Sequence, residues 1–160
     1  MKKMIALMAT IMITMTACAD RQELVEYSEL PALAQSFIQK HFNAADVSFI
    51  EREKEGGRYE YNVYLKNSVK IEFNYQGNLQ SIDCNRSPVP DDIIPSIILD
   101  YVALHHPNAY IVEYSIGYRR LKVGLNNDWE LVFDLDGNFI GVDDWSTHRL
   151  QGIDLMNSTI

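Results

Sequence analysis

Side chains that could perform covalent or acid–base chemistry are few in this 160-residue chain, and their spacing matches no catalytic motif. Cys84 follows Asp83 and has no neighbouring cation that would lower the thiol pKa, so we expect an unreactive thiol rather than a nucleophile. The sequence contains no G-x-S-x-G, no H-E-x-x-H and no phosphate-binding glycine loop. We therefore expect no catalytic residue and no enzymatic activity.

A carboxylate-rich segment from Asp134 to Asn138 has the residue types of a calcium loop but not the spacing. An EF-hand loop beginning at Asp134 would need glycine at its sixth position and glutamate at its twelfth, where the chain has Phe139 and Trp145. Residues that tolerate positive φ between two alternating segments are instead typical of a hairpin turn. The segment therefore predicts a turn.

Three histidines fall near the ends of two predicted helices: His41 and His105 at matching positions, and His106 beside the latter. A metal site would need these rings to converge with further ligands. An imidazole near a helix C-terminus is favoured by the helix dipole, which is the simpler interpretation. We expect no bound metal and no other cofactor.

Much of the chain consists of one pattern used twice, as "FNYQGNLQSID" at 73–83 and "FDLDGNFIGVD" at 133–143 show. Ahead of each phrase, apolar residues recur at three- and four-residue steps, which predicts two amphipathic helices. Ser28 and Asp92 are the predicted N-caps, and Pro31 and Pro95 are placed in the first turns. The apolar stripes consist of Leu30, Leu33, Ala34, Phe37, Ile38 and Phe42, and of Ile94, Ile97, Ile98, Tyr101 and Val102.

Beyond each helix the apolar period changes from 3.6 to 2, which predicts half-buried strands. With one further strand directly after each helix, near 47–51 and 111–116, each unit has four strands. The extra residues of the first unit are assigned to a loop from Glu51 to Arg58. The alternating positions are Tyr59, Tyr61, Val63, Leu65, Val69, Ile71, Phe73 and Tyr75, then Leu121, Val123, Leu125, Trp129, Leu131, Phe133 and Leu135.

Each unit of helix plus four-stranded meander, about 28–84 and 92–145, would leave a sheet edge exposed on its own. We therefore predict an α+β fold with one eight-stranded antiparallel sheet and both helices on one face. The uncovered face would carry aromatic and charged side chains suited to binding a protein partner. The candidate binding residues on it are Tyr64, Lys66, Glu72, Lys122 and Glu130.

The N-terminal segment has the features of an export signal, because two lysines precede an apolar segment from Met4 to Ala17 that is too short to span a membrane. "MTAC", ending at Cys18, is similar to a lipobox and would place a lipid on Cys18. "ACA" at 17–19 also fits ordinary signal cleavage. We expect a signal segment at 1–19, a domain at 20–145 and a C-terminal tail at 146–160.

The charge balance limits the partner. From Asp20 onward the chain keeps all 22 acidic residues against 12 basic ones, a net charge of −10, which argues against nucleic acid and anionic lipid. Only Cys84 remains there, so stability must come from a core rather than an internal disulfide. The expected partner is an envelope protein of unknown identity, with the membrane reached only through an anchor at Cys18.

Four stretches together resemble a known family: "LPALAQSFIQKHF", "YQGNLQSID", "VPDDIIPSIILDYVALHHPNAYIV" and "LNNDWELVFDLDGNFIGVD". They are similar to the PepSY-like family of small exported bacterial proteins, also called β-lactamase-inhibitor-like, over Glu26 to Trp145. The resemblance implies the tandem α+β architecture, a periplasmic or lipid-anchored location and no catalytic motif.

Two functions remain open. The first is a non-enzymatic binding module, such as an inhibitor of an exported hydrolase, that grips its partner with the open sheet face as the inhibitor fold does. The second is a sensor of a small ligand or metal with a pocket between the helices and the sheet.

Overall fold

The computed structural model describes residues 22–143, which form two helices and nine strands. No helix in this range is long and apolar enough to cross a membrane. The export segment, Cys18 and the tail at 146–160 lie outside the described residues. The helices are α1 (Ala32–His41) and α2 (Ser96–His105), and the strands are β1 (Glu23–Leu24), β2 (Val47–Glu55), β3 (Arg58–Leu65), β4 (Lys70–Phe73), β5 (Leu79–Asp83), β6 (Ile111–Ile116), β7 (Leu121–Leu125), β8 (Glu130–Phe133) and β9 (Phe139–Asp143).

The strands form a single antiparallel sheet in sequence order, β1 to β9. The predicted α+β fold is therefore confirmed, with one strand more than the expected eight, because Glu23 and Leu24 pair with the outer edge of β2. The two units meet where Ser81–Asp83 of β5 pair with Glu113–Ser115 of β6. The second unit thus covers the sheet edge that the first unit leaves open.

The core lies between the two helices and one face of the sheet, and each unit builds it in the same way. Phe73 and Phe133 occupy equivalent positions and are fully buried. Phe37 of α1 packs edge-on against Phe73 with 5.5 Å between the ring centroids, and Tyr101 of α2 packs edge-on against Phe133 at 5.4 Å. Burial of each phenylalanine contributes about 1.5–3 kcal/mol, so these matched pairs are major anchors of both helices.

The predicted N-caps are wrong. Ser28 and Asp92 lie in short 3-10 turns, Tyr27–Glu29 and Asp91–Ile93, and each α-helix begins only after its proline, which itself occupies the N-cap position. The reason is steric, since a proline disfavours helical backbone in the residue before it. Leu30 and Ile94, which precede the prolines, are accordingly extended.

The loop expected between Glu51 and Arg58 is also wrong, because β2 continues to Glu55 and pairs with β3 as far as Arg58. The extra residues of the first unit thus lengthen a hairpin. An apolar pattern does not detect this end of the strand, because its side chains are charged. One of them, Arg52, makes a cation–π contact with the Tyr59 ring, 4.9 Å from its centroid. Four residues assigned to strands lie just outside them: Val69, Tyr75, Trp129 and Leu135.

The repeated phrase is a hairpin turn in both units, as predicted. Gly77 and Gly137 have φ of 87° and 85°, a region that favours glycine. Both turns also lie against a helix N-terminus, since a Cβ on Gly77 would stand 2.8 Å from the backbone nitrogen of Ala34. The Asp134 side chain accepts hydrogen bonds from Asn138, which lower its pKa, so this carboxylate holds the turn together.

Candidate functional site

The sheet face opposite the helices carries four of the five predicted binding residues: Tyr64, Glu72, Lys122 and Glu130. Tyr64, Glu72 and Lys122 alternate with buried neighbours on their strands, and Glu130 pairs with Gly124, two positions after Lys122. Lys66 does not belong to this face. It follows the end of β3. Its ammonium donates a hydrogen bond to the carbonyl oxygen of Ala45 at 2.7 Å and so stabilises the turn that leads into β2.

In the first unit, the face is organised around Tyr64. Its hydroxyl donates to Glu51 Oε2 at 3.0 Å, and its ring stacks on Phe49 with 4.3 Å between centroids. Lys70 lies 5.8 Å from the Tyr64 ring centroid and pairs with Glu72. Partial burial raises the Tyr64 pKa, and the hydrogen bond to Glu51 raises it further. The phenol therefore stays protonated and acts as a donor.

In the second unit, the face is organised around Lys122. Its ammonium donates to Glu130 Oε1 and to Asp143 Oδ2, both at 2.6 Å. The hydrogen bonds to Asp143 and Glu130 raise the Lys122 pKa. This ion-pair network is partly shielded from solvent and fixes three side chains in place. Asp143 was not among the predicted binding residues.

Between these two clusters lies an acidic groove of about 430 Å³ at the junction of the units. Glu113 on β6 pairs with Gly124 on β7, and a Cβ on Gly124 would stand 3.1 Å from the Glu113 Cβ and 3.3 Å from its Oε2. Glycine therefore leaves room for the carboxylate. The polar lining consists of Asp83, Asn85, Glu113, Asp128 and Glu130, and Trp129 also lines the groove.

The groove concentrates negative charge around Glu113, which is itself an exposed residue. Partial desolvation raises the Glu113 pKa, the negative charges of Asp83, Glu130 and Glu72 raise it further, and only Lys122 acts in the opposite direction. Neighbouring negative charges raise the free energy of an ionised carboxylate, and an approaching cation or a bound proton lowers it again. The groove is therefore suited to a cationic side chain.

Sequence reasoning missed this groove, although the repeat contains a signal for it. Glu113 and Gly124 occupy the positions that Phe49 and Tyr64 occupy in the first unit, and both pairs face each other across neighbouring strands. The first unit thus has a stacked aromatic pair at these two positions, whereas the second unit has a carboxylate beside a glycine, which has no side chain. Comparison of outward-facing residues between the units would have identified the difference.

The histidines contact separate partners rather than one another. His41 Nδ1 lies 3.1 Å from Asp92 Oδ1, which ties α1 to the second unit, while the His105 ring packs against Tyr101 and the His106 ring against Trp129. Within residues 22–143, no three or more His, Cys, Asp or Glu side chains are grouped so as to hold a metal ion.

Cys84 is buried, and burial together with the charge of Asp83 raises its pKa to about 11. The thiol is therefore protonated at neutral pH, as the sequence indicated.

A smaller hollow of about 250 Å³ lies beside α2. It is lined mainly by apolar residues, among them Val89, Leu99 and Val102, and Asp91 is its one ionisable carboxylate. A site for a polar ligand needs several convergent polar groups, which this lining does not supply. The hollow therefore gives little support to a pocket between helices and sheet.

A tandem α+β domain with both helices on one side of an antiparallel sheet and a charged, open face on the other defines the class of this protein. The chain belongs to the PepSY-like family, described as "putative beta-lactamase-inhibitor-like", whose model matches residues 15–60 and 59–141. The resemblance seen in the sequence is thereby confirmed. A comparison with curated proteins gives no match.

Solved structures support the same assignment. A crystal structure described as a "putative calcium-regulated periplasmic protein" of Bacteroides thetaiotaomicron is 33% identical, with a TM-score of 0.73, and the match covers 77% of this chain and 97% of that one. A protein of Bacteroides vulgatus described as a "putative periplasmic protein" is 32% identical, with a TM-score of 0.74 and coverage of 79% and 99%. A second protein from that organism, of unknown function, is 28% identical, with a TM-score of 0.74 and coverage of 78% and 100%.

Proposed function

We propose that this chain is an exported, non-enzymatic binding module that recognises a protein of the cell envelope through its open sheet face. The observation that carries the proposal is the acidic groove at Glu113, set between two clusters of fixed side chains. Preorganised charged groups around a depression are suited to recognition, because little side-chain entropy is lost on binding.

The groove indicates the chemistry of the partner. Its carboxylates would accept a lysine or arginine side chain, and such a contact would relieve the repulsion around Glu113. Phe49 is 43% exposed on the same sheet face, where it stacks on Tyr64, and aromatic residues commonly supply binding energy at interfaces. The partner we infer is therefore a protein with a basic protrusion flanked by apolar surface.

Export rests on two independent supports. The N-terminal segment has the pattern of a signal peptide, and the solved relatives are described as periplasmic. Attachment of lipid at Cys18 is the finer proposal. Mass spectrometry of the protein from the envelope fraction would show an acylated N-terminal cysteine, and Cys18→Ala would release the protein. A mature mass beginning at Asp20 without acyl chains would instead leave a periplasmic protein without an anchor.

A calcium-sensing role is the second candidate, because one relative is described as calcium-regulated and the groove is rich in carboxylates. In this case Ca²⁺ would bind beside Glu113 and take most of its oxygen ligands from groups other than carboxylates, because no three or more His, Cys, Asp or Glu side chains of residues 22–143 are grouped to hold a metal ion. Isothermal titration of the purified domain with CaCl₂ separates the two candidates. Saturable heat that Glu113→Gln abolishes would favour the sensor, and the absence of heat would favour the protein-binding module.

Affinity capture tests the main proposal. The domain without residues 1–19 serves as bait in an envelope extract, and bound proteins are identified by mass spectrometry. Glu113→Gln and Asp83→Asn should weaken capture without lowering the melting temperature. Asp100→Asn, which removes an exposed carboxylate from the helix side, is the matched control and should have no effect. Capture that survives both groove substitutions but is lost with Asp100→Asn would place the binding surface on the helices and contradict the proposal.

A further inference from the structure

The acidic groove at Glu113 continues into a second hollow of about 490 Å³, at the end of the sheet where β5 and β7 finish and β6 begins. The residues that line both cavities are Asn85, Val112, Leu125 and Asp128. The second hollow adds Arg86, Tyr110 and Asn126. The two cavities therefore form one depression, the junction trough, and a single ligand can contact both of its ends.

The end of the trough away from Glu113 is organised around Tyr110. The Tyr110 hydroxyl donates to the Arg86 carbonyl oxygen at 3.0 Å, and the Tyr110 backbone N–H donates to Asn126 Oδ1, also at 3.0 Å. Because the oxygen of the Asn126 amide accepts this bond, its NH₂ group remains as a donor. Within residues 22–143 the Arg86 guanidinium forms no ion pair, although Asp128 lines the same hollow. A guanidinium and an amide NH₂ at one end of the trough are suited to binding a carboxylate.

The first unit uses the matching positions differently. Lys66 is the counterpart of Asn126, because each residue directly follows the second long strand of its unit. The Lys66 ammonium donates to the backbone of Ala45, so in the first unit this side chain binds the protein itself. At the other end of the trough, Glu113 beside Gly124 replaces the aromatic pair of the first unit. Both ends of the trough thus arise from residues in which the second unit departs from the repeat.

The chemical character of the lining changes along the trough in a fixed order. One end has the donors of Arg86 and Asn126, and the middle has apolar side chains from Val112 and Leu125. The other end has the carboxylates of Asp83, Glu113 and Glu130. A lysine or arginine at the end of a chain has the complementary order, since an aliphatic stem separates its terminal carboxylate from its cationic head.

We propose that the junction trough binds the C-terminus of a partner chain whose last residue is lysine or arginine. The terminal carboxylate accepts hydrogen bonds from Arg86 and Asn126, and the methylene groups lie along the apolar middle of the trough. The cationic head lies beside Glu113. This inference rests on the proposed function, because it takes the basic protrusion of the partner to be a chain end.

The charges around the trough disfavour other ligands. A phosphate dianion would be attracted to Arg86 but repelled by Asp128 and by the acidic groove. A lysine inside a chain would place its cation near Glu113 but would bring no carboxylate to Arg86. A chain end with a basic last residue satisfies both ends at once.

Isothermal titration of the chain without residues 1–19 tests the inference with three N-acetylated tetrapeptides. The first ends in lysine with a free carboxylate, the second is its C-terminal amide, and the third ends in leucine with a free carboxylate. We expect the first peptide to bind with a dissociation constant at least about tenfold lower than the other two, because only it engages both ends of the trough.

Two substitutions assign these differences to the two ends. Arg86→Gln should remove the preference for the free acid over the amide, and Glu113→Gln should reduce the preference for lysine over leucine. Neither should lower the melting temperature, because both side chains are exposed. Arg119→Gln is the matched control, since Arg119 is an exposed arginine between β6 and β7 that does not line the trough, and it should change neither preference.

The possible failures are distinguishable. An amide that binds as tightly as the free acid would overturn the inference but leave the proposed function, because the cation would still be recognised. A leucine peptide that binds as tightly as the lysine peptide would contradict both. Free lysine that binds as tightly as the lysine peptide would overturn the inference by assigning the trough to a free amino acid. Absence of binding by all three peptides at millimolar concentration would overturn the inference alone, since affinity capture tests the protein partner separately.

Discussion

Replacing Gly77 with alanine should destabilise the domain more than the same change at Gly137, although the two glycines hold equivalent turns with nearly the same φ. A Cβ on Gly137 would lie 2.3 Å from Ile97 Cγ2, the end of a side chain that is 46% exposed. A Cβ on Gly77 would lie 2.8 Å from the backbone nitrogen of Ala34. The first neighbour can rotate away, whereas the second is fixed by the start of α1.

The expected loss of unfolding free energy for each substitution is the sum of a backbone cost and a contact cost. A non-glycine residue in the left-handed region costs about 1–2 kcal/mol. Moving Ile97 off its rotamer adds about 0.5–1.5 kcal/mol, so Gly137→Ala should cost about 1.5–3.5 kcal/mol in unfolding free energy. Overpacking against a fixed backbone adds about 1–3 kcal/mol, so Gly77→Ala should cost about 2–5 kcal/mol. Gly56→Ala supplies the control, because Gly56 has φ of 54° and no atom within 4 Å of a Cβ.

Urea unfolding followed by circular dichroism measures the series, and the melting temperature should fall by roughly 3–6 °C per kcal/mol for a domain of this size. The order of stability should be wild type, Gly56→Ala, Gly137→Ala and Gly77→Ala. If Gly77→Ala cost no more than Gly56→Ala, the turn would not lie against α1 as described. Ile97→Ala combined with Gly137→Ala should recover the contact cost, and an undiminished loss would contradict the assignment of that cost to Ile97.

Three further outcomes follow from the charged and thiol groups. The Glu113 pKa is raised in the folded state, so the protonated carboxyl stabilises the fold below its ordinary pKa, and this contribution is lost as pH rises through the folded pKa. Glu113→Gln should therefore raise the melting temperature at pH 7 relative to wild type and change the pH dependence of the melting temperature over that window. Identical pH profiles for the two proteins would contradict the raised pKa. Lys122→Met should lower the unfolding free energy by about 1 kcal/mol, since it removes the cation shared by Glu130 and Asp143, and an unchanged urea midpoint would show that the network adds nothing. Cys84 should resist a thiol reagent at pH 8 until urea unfolds the chain, and rapid labelling of the folded protein would show that the thiol is accessible.

The fold was predictable because its signals are local and occur twice. Buried Ile71 and Phe73 in one unit have the counterparts Leu131 and Phe133 in the other, so the strand period could be recognised twice. Strand β1 was missed because two residues carry no period. The end of β2 was missed because its charged side chains contact Glu23 and the Tyr59 ring rather than the core.

The candidate site was only partly predictable. Alternation on the strands is enough to place Tyr64, Glu72, Lys122 and Glu130 on one face, since that inference needs only the period. The groove depends on which residues stand opposite each other, and the register of β6 and β7 shifts at a bulge between Ile111 and Glu113. Pairing of this kind is set by the whole sheet, so it is revealed by comparing the two units and not by a local pattern within one of them.

The position of β1 has a consequence for where the domain stands relative to the membrane. Glu23 follows Cys18 by only five positions, so a lipid at Cys18 would hold β1 within about 17 Å of the bilayer, even with the chain fully extended. This tether is shorter than the sheet is wide, since eight inter-strand spacings of about 4.8 Å separate β1 from β9 by about 38 Å. An anchored molecule would keep its first strand near the lipid headgroups and could extend its last strand towards the middle of the periplasm.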